Sequence, residues 1–278
     1  MAKKAESTTD ITVARDAGAM PAHLAKQEGE ARLGTAVASK YQTINRLTIV
    51  QSQAKKEKRE KFEVGAMALF PDEVEVCAPN EEVVVIPLLF YPTWEKWSDY
   101  NDDDSPTVIE TEYDEHSDIA RRSKTKETRT ERYGDPENNW KYSYIESLNC
   151  AVVIDSGPAK GEIAILSLNK SQHYVGRKLA RMVARTDADI FGRRIALSIT
   201  DETDGKNDWH GFRLNNPSEK MGGAWTTAEQ YEQLKAMHLE TQAAYDARMI
   251  VINRDDENEN SGAGAGAGGY DEGDLPPV

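Results

Sequence analysis

Thiols are scarce in this chain: Cys77 and Cys150 are the two in 278 residues. Two thiols cannot build a four-ligand structural zinc site by themselves, and each lies in an apolar, strand-like run, so both read as reduced core residues. No apolar run approaches about 18 residues, and no apolar segment follows Lys3 and Lys4, which argues against a membrane-spanning helix and a secretory leader. The expected location is the cytoplasm. Catalytic signatures are missing as well. There is no Gly-x-Ser-x-Gly and no Walker-type loop, and His23, His116, His173, His210 and His238 are scattered without metal-ligand spacing. Asp102, Asp103 and Asp104 could in principle hold a divalent ion, but adjacent acids in one Ser/Pro/Asn loop rarely converge on a single metal. The expectation is no enzyme, no cofactor and no metal.

Positive charge is absent from two segments. Residues 255–278 hold seven acids and residues 99–118 hold nine, with no Lys or Arg in either. They account for the whole acidic excess: the net charge of −14 becomes +2 when both are set aside. The remaining body is mildly basic, which readmits nucleic acid as a partner. The C-terminal segment has a particular design. Four acids after Arg254 lead into a Gly/Ala stretch from Gly262 to Gly269 and then an acidic tip with an apolar end, Tyr270-Asp-Glu-Gly-Asp-Leu-Pro-Pro-Val278. Such composition cannot bury enough apolar area to offset the entropy of ordering, so 251–278 is expected to be a disordered tether, spanning about 27 Å root-mean-square. Residues 1–40 are expected to be a disordered arm.

Between these ends the grammar is mainly β. Strands are expected over Tyr41–Gln53, which reads as a first strand or an ordered arm, and over Phe62–Phe70, Val74–Cys77, Val83–Trp94, Trp140–Ile154, Glu162–Leu168, Arg193–Thr200 and Asp208–Leu214, with Pro87 marking a bulge or edge position. Ser171–Arg185 reads as an amphipathic helix, apolar through Val175, Leu179, Met182 and Val183 and basic through Arg177, Lys178, Arg181 and Arg185. Thr226–Arg248 reads as a second helix, opened by a Thr226/Glu229 capping box and striped by Tyr231, Leu234, His238 and Tyr245. One domain over 41–250, interrupted by an insertion at about 99–138, fits an α+β fold: an OB-like five-stranded barrel with an inter-strand helix and a C-terminal helix.

Non-specific single-strand binding needs aromatic faces for bases and cations for phosphates. Tyr91, Trp94, Lys96 and Trp97 end one strand, Trp140, Lys141 and Tyr142 open another, and Arg121, Arg122, Lys124, Lys126, Arg129 and Arg132 lie between them. Arg177, Lys178 and Arg181 on the first helix, with Lys170 just before it, form a second basic track. By strand alternation about half of the aromatics should face the core; the interleaving of rings with cations is what favours a binding surface.

The layout resembles a family of bacteriophage proteins of about this size with single-stranded-DNA-binding character. The resembling parts are the N-terminal arm, the Val83–Trp94 strand, the polar insertion before the Trp140 strand, the Leu166–Leu179 strand-helix junction and the acidic Gly-rich C-terminus. The resemblance implies a protein of the host cytoplasm that coats single-stranded DNA during replication and recombination. Its tail, through Tyr270, Asp271, Glu272, Asp274, Leu275 and Val278, would recruit replication and recombination proteins and compete with DNA. The state of oligomerisation, homo-oligomer included, is left open. The rival reading is an acidic structural or interaction protein, a virion component or DNA mimic, that binds no DNA.

Overall fold

From Val83 to Tyr91 no charged side chain interrupts the apolar run, a pattern suited to a strand covered on both faces. The computed structural model, which describes residues 44–54, 56–98, 107–133, 141–185, 187–203, 205–250 and 252, places this run in the middle of a mixed ten-stranded sheet. The strands are β1 (Asn45–Ile49), β2 (Met67–Phe70), β3 (Val74–Cys77), β4 (Val83–Ser98), β5 (Thr107–Glu112), β6 (Thr130–Arg132), β7 (Lys141–Ile154), β8 (Ile163–Leu168), β9 (Ile195–Thr203) and β10 (Asp208–Asn215). Their order is β10-β9-β4-β7-β8-β1-β2-β3, with β5 added to β4 and β6 to β7. The β1–β8 pair is parallel and the other strand pairs are antiparallel. The β4–β7 register shifts between Pro87 and Leu89, where a ladder proline cannot donate.

Two cores use the two faces of this sheet. Val83 and Val85 of β4 join Leu47, Met67, Cys150, Leu166, Leu197 and Phe212 on one side. Ile86, Leu88 and Tyr91 join Phe191, Leu234 and Ile250 on the other. Burial pushes the Cys77 thiol up to about 11 and raises that of Cys150 as well, so both are packing groups.

Four helices dress the sheet among the described residues: α1 (Lys56–Lys61), α2 (Asp118–Ser123), α3 (His173–Ala184) and α4 (Ala228–Asp246). The amphipathic reading of α3 holds, with Val175 and Leu179 buried in the first core. Gly176 lets it sit close, since a Cβ there would lie 2.9 Å from Leu148. The capping box of α4 falls one residue later than its sequence pattern suggests, on Thr227 and Gln230. Thr226 is occupied instead: both its N–H and its hydroxyl donate to the Gly192 carbonyl. On α4, Leu234 is buried, Tyr245 lies 4.7 Å from Tyr91, and the His238 ring bonds the Leu88 carbonyl at 2.7 Å.

The five-stranded closed barrel expected from the sequence gives way to an open sheet. β1 takes the edge of β8, and β10 ends the path with side chains along its outer edge. The Gln51 amide donates to the His210 carbonyl and accepts from its N–H, both at 2.9 Å. Gln172 accepts from the Phe212 N–H at 2.7 Å, and Lys178 donates to the Leu214 carbonyl at 3.0 Å. These three residues alternate along the strand, so their backbone groups point to one side, and each receives a side-chain substitute for a ladder bond.

Candidate nucleic-acid interface

The long arms of β4 and β7 pair Trp94 with Glu146, Lys96 with Tyr144, and Ser98 with Tyr142, bringing the two aromatic runs side by side. Their ring faces are already used. Trp94, 5% exposed, and Tyr144 are covered by Ile119 and Ala120 of α2. Tyr142 stacks on Tyr133 at 4.0 Å, and the Lys96 ammonium lies 4.0 Å from the Tyr142 ring centre. On the opposite face Trp97, 3% exposed, donates its indole N–H to Glu95 at 3.0 Å, while Lys170 stands 5.2 Å from its ring. Glu95 is fully buried and also accepts from Thr93 and Ser147. Tyr91, 2% exposed, packs on α4. These three aromatics are core residues in this conformation, and none presents a face for a base. Trp140 lies outside the described residues, as do Tyr270, Asp271, Glu272, Asp274, Leu275 and Val278.

The basic residues of the insertion share the same fate in part. Arg121 and Arg122 pair with Asp118, and Arg122 also with Glu131 at 2.7 Å, its guanidinium 5.0 Å from the Tyr144 ring centre. Burial, then the hydrogen bond to Glu131, push the Tyr144 phenol up to about 12. Reciprocally that bond, helped by Arg122, holds Glu131 below its ordinary value. Lys124, Lys126, Arg129, Arg132 and Lys141 are exposed, Arg129 donating to the Ser123 carbonyl. The cluster ties α2 and β6 onto the arm, with cations and acids alternating.

A different surface brings exposed rings and cations together. Arg177, Lys178 and Arg181 of α3, with Arg185 just after it, border a shallow depression of about 380 Å³ together with Tyr174, which is 45% exposed. Tyr174 and Lys178 are four residues apart and so share a face of the helix. On β10, Trp209 and Arg213 project from the face away from the first core, because Phe212 and Leu214 alternate into it. The Tyr174 hydroxyl and the Trp209 indole both donate to Glu202, at 2.7 and 2.8 Å, which fixes the two rings near one another. At the start of α3 His173 bonds Glu146 at 2.9 Å, and that contact is the main reason the Glu146 carboxyl lies below its usual range.

A family described as Pam3 phage gp34-like protein matches residues 13–244. The chain belongs to that family. No curated protein and no solved structure matches it. The matched residues span all ten strands, all of α2 and α3 and most of α4, so the family signature covers both the arm cluster and the α3 surface.

Sequence reading thus found the cations of α3 but ranked them second, and missed Tyr174, Trp209 and Arg213. The signal for the last two was available in the outward alternation of Trp209, Gly211 and Arg213. No helix among the described residues is long and apolar enough to cross a membrane.

Proposed function

We propose that this phage-family protein binds single-stranded DNA without sequence preference, on the surface made by α3 and the outer face of β10. The observation that carries the proposal is the juxtaposition there of the exposed Tyr174 with Arg177, Lys178, Arg181 and Arg185, Tyr174 being tied through Glu202 to the half-buried Trp209. Stacking one base is worth about 1–3 kcal/mol and is nearly blind to sequence. Four or five cations along the same strip supply the phosphate term.

The connectivity supports the same reading. Counted from Val83, five strands (β4, β7, β8, β9, β10) carry a helix between the third and fourth, and the fourth pairs back onto the first. That succession supports an OB-like reading of an open sheet in which β1 pairs with β8 and side chains cap the β10 edge. In this reading the protein coats exposed strands during phage replication and recombination in the host cytoplasm. The acidic tail recruits partner enzymes and competes with DNA for the α3 strip.

Fluorescence anisotropy with labelled oligo-dT, on the full chain and on a chain lacking residues 255–278, tests this. With about four phosphates engaged, the salt slope should be near −2.8, a loss of roughly 50-fold between 50 and 200 mM salt. Tail removal should tighten binding, and Arg177→Ala with Arg181→Ala should weaken it roughly 15-fold at about 0.15 M salt and flatten the slope by about 1.4. Absence of binding in both chains at low salt overturns the proposal in favour of an acidic structural or DNA-mimicking protein.

A further inference from the structure

Glu202 is an acidic side chain at the Tyr174 end of the proposed strip. Three neutral donors from three elements converge on its carboxylate: the Tyr174 hydroxyl at 2.7 Å, the Trp209 indole N–H at 2.8 Å and the Gln172 amide at 3.2 Å. The floor beneath is the backbone of Gly211, where an added Cβ would stand 2.4 Å from the Glu202 carboxylate and 2.5 Å from the Gln172 amide, so the seat exists only with glycine at that position. Gln172 is held in turn by the Phe212 N–H, which fixes the direction of its amide donor. Lys178 follows Tyr174 by one turn, and Arg177 is its neighbour.

A ring of oriented N–H and O–H donors without a fixed cation of its own suits a singly charged oxyanion, and the charge-assisted bonds it makes are the strong ones. The occupant at present is the chain's own carboxylate, borne near the end of β9, two positions before the turn into β10. Resting on the single-strand-binding reading, we infer that the ring of Gln172, Tyr174 and Trp209 is a phosphate seat, and that Glu202 is its resident stand-in, displaced when a phosphodiester of the DNA backbone arrives. Displacement would release Trp209 and Tyr174 from a shared tie to one carboxylate and place the phosphate at the donor edges of the two rings.

The test compares Glu202→Ala and Glu202→Gln with Asp201→Ala in the full-length protein. Asp201 is the neighbouring acid, exposed and pointing to the other face of β9, where it pairs with His210. If the seat is real, emptying it should tighten oligo-dT binding about fivefold at about 0.1 M salt and steepen the salt slope by about 0.7. Asp201→Ala should stay within about twofold of the parent. Adding Trp209→Phe to Glu202→Ala removes a donor while keeping a ring, and should cancel the gain. Glu202→Gln keeps the side-chain shape and should move in the same direction as the alanine variant, so a folding defect in the latter leaves the comparison intact. A gain no larger than that of Asp201→Ala, or one that survives Trp209→Phe, overturns the inference and makes Glu202 a structural tie. Should no variant bind DNA, the single-strand reading falls while the seat is still decided by inorganic phosphate at constant ionic strength. Saturable quenching of tryptophan fluorescence in Glu202→Ala, absent from the parent and from the Trp209→Phe double variant, supports a seat for free phosphate; a flat response in Glu202→Ala overturns it.

Discussion

Replacing Asp155 by Ala should be among the most damaging single changes in this protein. Asp155 follows β7 and is 7% exposed; Arg194, just before β9, is 9% exposed. One carboxylate oxygen accepts from both Nε and Nη2 of Arg194, at 2.7 and 2.6 Å, and the other accepts from Gln230 on the first turn of α4 at 3.3 Å. The remaining Arg194 nitrogen donates to the Gly223 carbonyl, and Gly222, at φ +88°, leaves room for the guanidinium only because it lacks a Cβ. Removing the carboxylate strands a buried cation and unties α4 from the sheet together. Breaking such a pair costs about 3–5 kcal/mol, and for a domain of roughly 200 residues that is a fall in Tm of about 6–20 °C. Urea unfolding of the full chain followed by tryptophan fluorescence measures it, and the slope m should be unchanged, because the folded state is weakened without being expanded. The double variant Asp155→Ala, Arg194→Met should recover much of the loss, because no charge is then left buried. A single-variant cost below about 1 kcal/mol, or a double variant no better than the single, would refute the assignment of this pair as the anchor of α4.

Other outcomes follow from the same geometry. Gln51→Ala uncovers the His210 N–H and carbonyl, which should cost about 1–3 kcal/mol in chemical unfolding and promote self-association through the bared β10 edge, visible by size-exclusion chromatography. Gly176→Ala should destabilise by about 1–3 kcal/mol through overpacking against Leu148, read from the unfolding midpoint. Glu146 titrates below its ordinary value because of His173, so its contribution to stability is fully present above the unfolded carboxyl pKa of about 4.3 and fades as pH falls through the folded value; His173→Ala should flatten that acid limb of a melting-against-pH profile. Cys77 and Cys150, both buried with raised pKa values, should ignore a disulfide thiol probe at pH 8 until denaturant is added.

Much of the fold is written locally. The eight expected strands and both long helices are present, because alternation, apolar continuity and amphipathic spacing are properties of short windows. β5 escaped notice inside the acid-rich stretch and β6 inside the Arg/Lys/Thr-rich one that follows, since short edge strands without an apolar face look like loop. The parallel seat of β1 beside β8 has no local signature at all: its register, Asn45 opposite Ala164, joins residues far apart in the chain. For the candidate interface, the residue types were legible but their exposure was not. Trp94 and Trp97 stand amid cations just as a stacking platform would, but α2 and the Glu95 network cover them, and only the fold reveals which faces are spent. The α3 strip needed the strand that runs beside it, because Tyr174 and Trp209 lie 35 positions apart and meet only through Glu202.

The clasp between Gln51 and His210 joins residues 159 positions apart. At a translation speed of about 5–20 residues per second, the N-terminal segment leaves the ribosome roughly 8–30 s before its counterpart is made. β8 is made before the end of that interval but the β10 edge only at its close, so the clasp that caps this part of the sheet forms late in synthesis or after release.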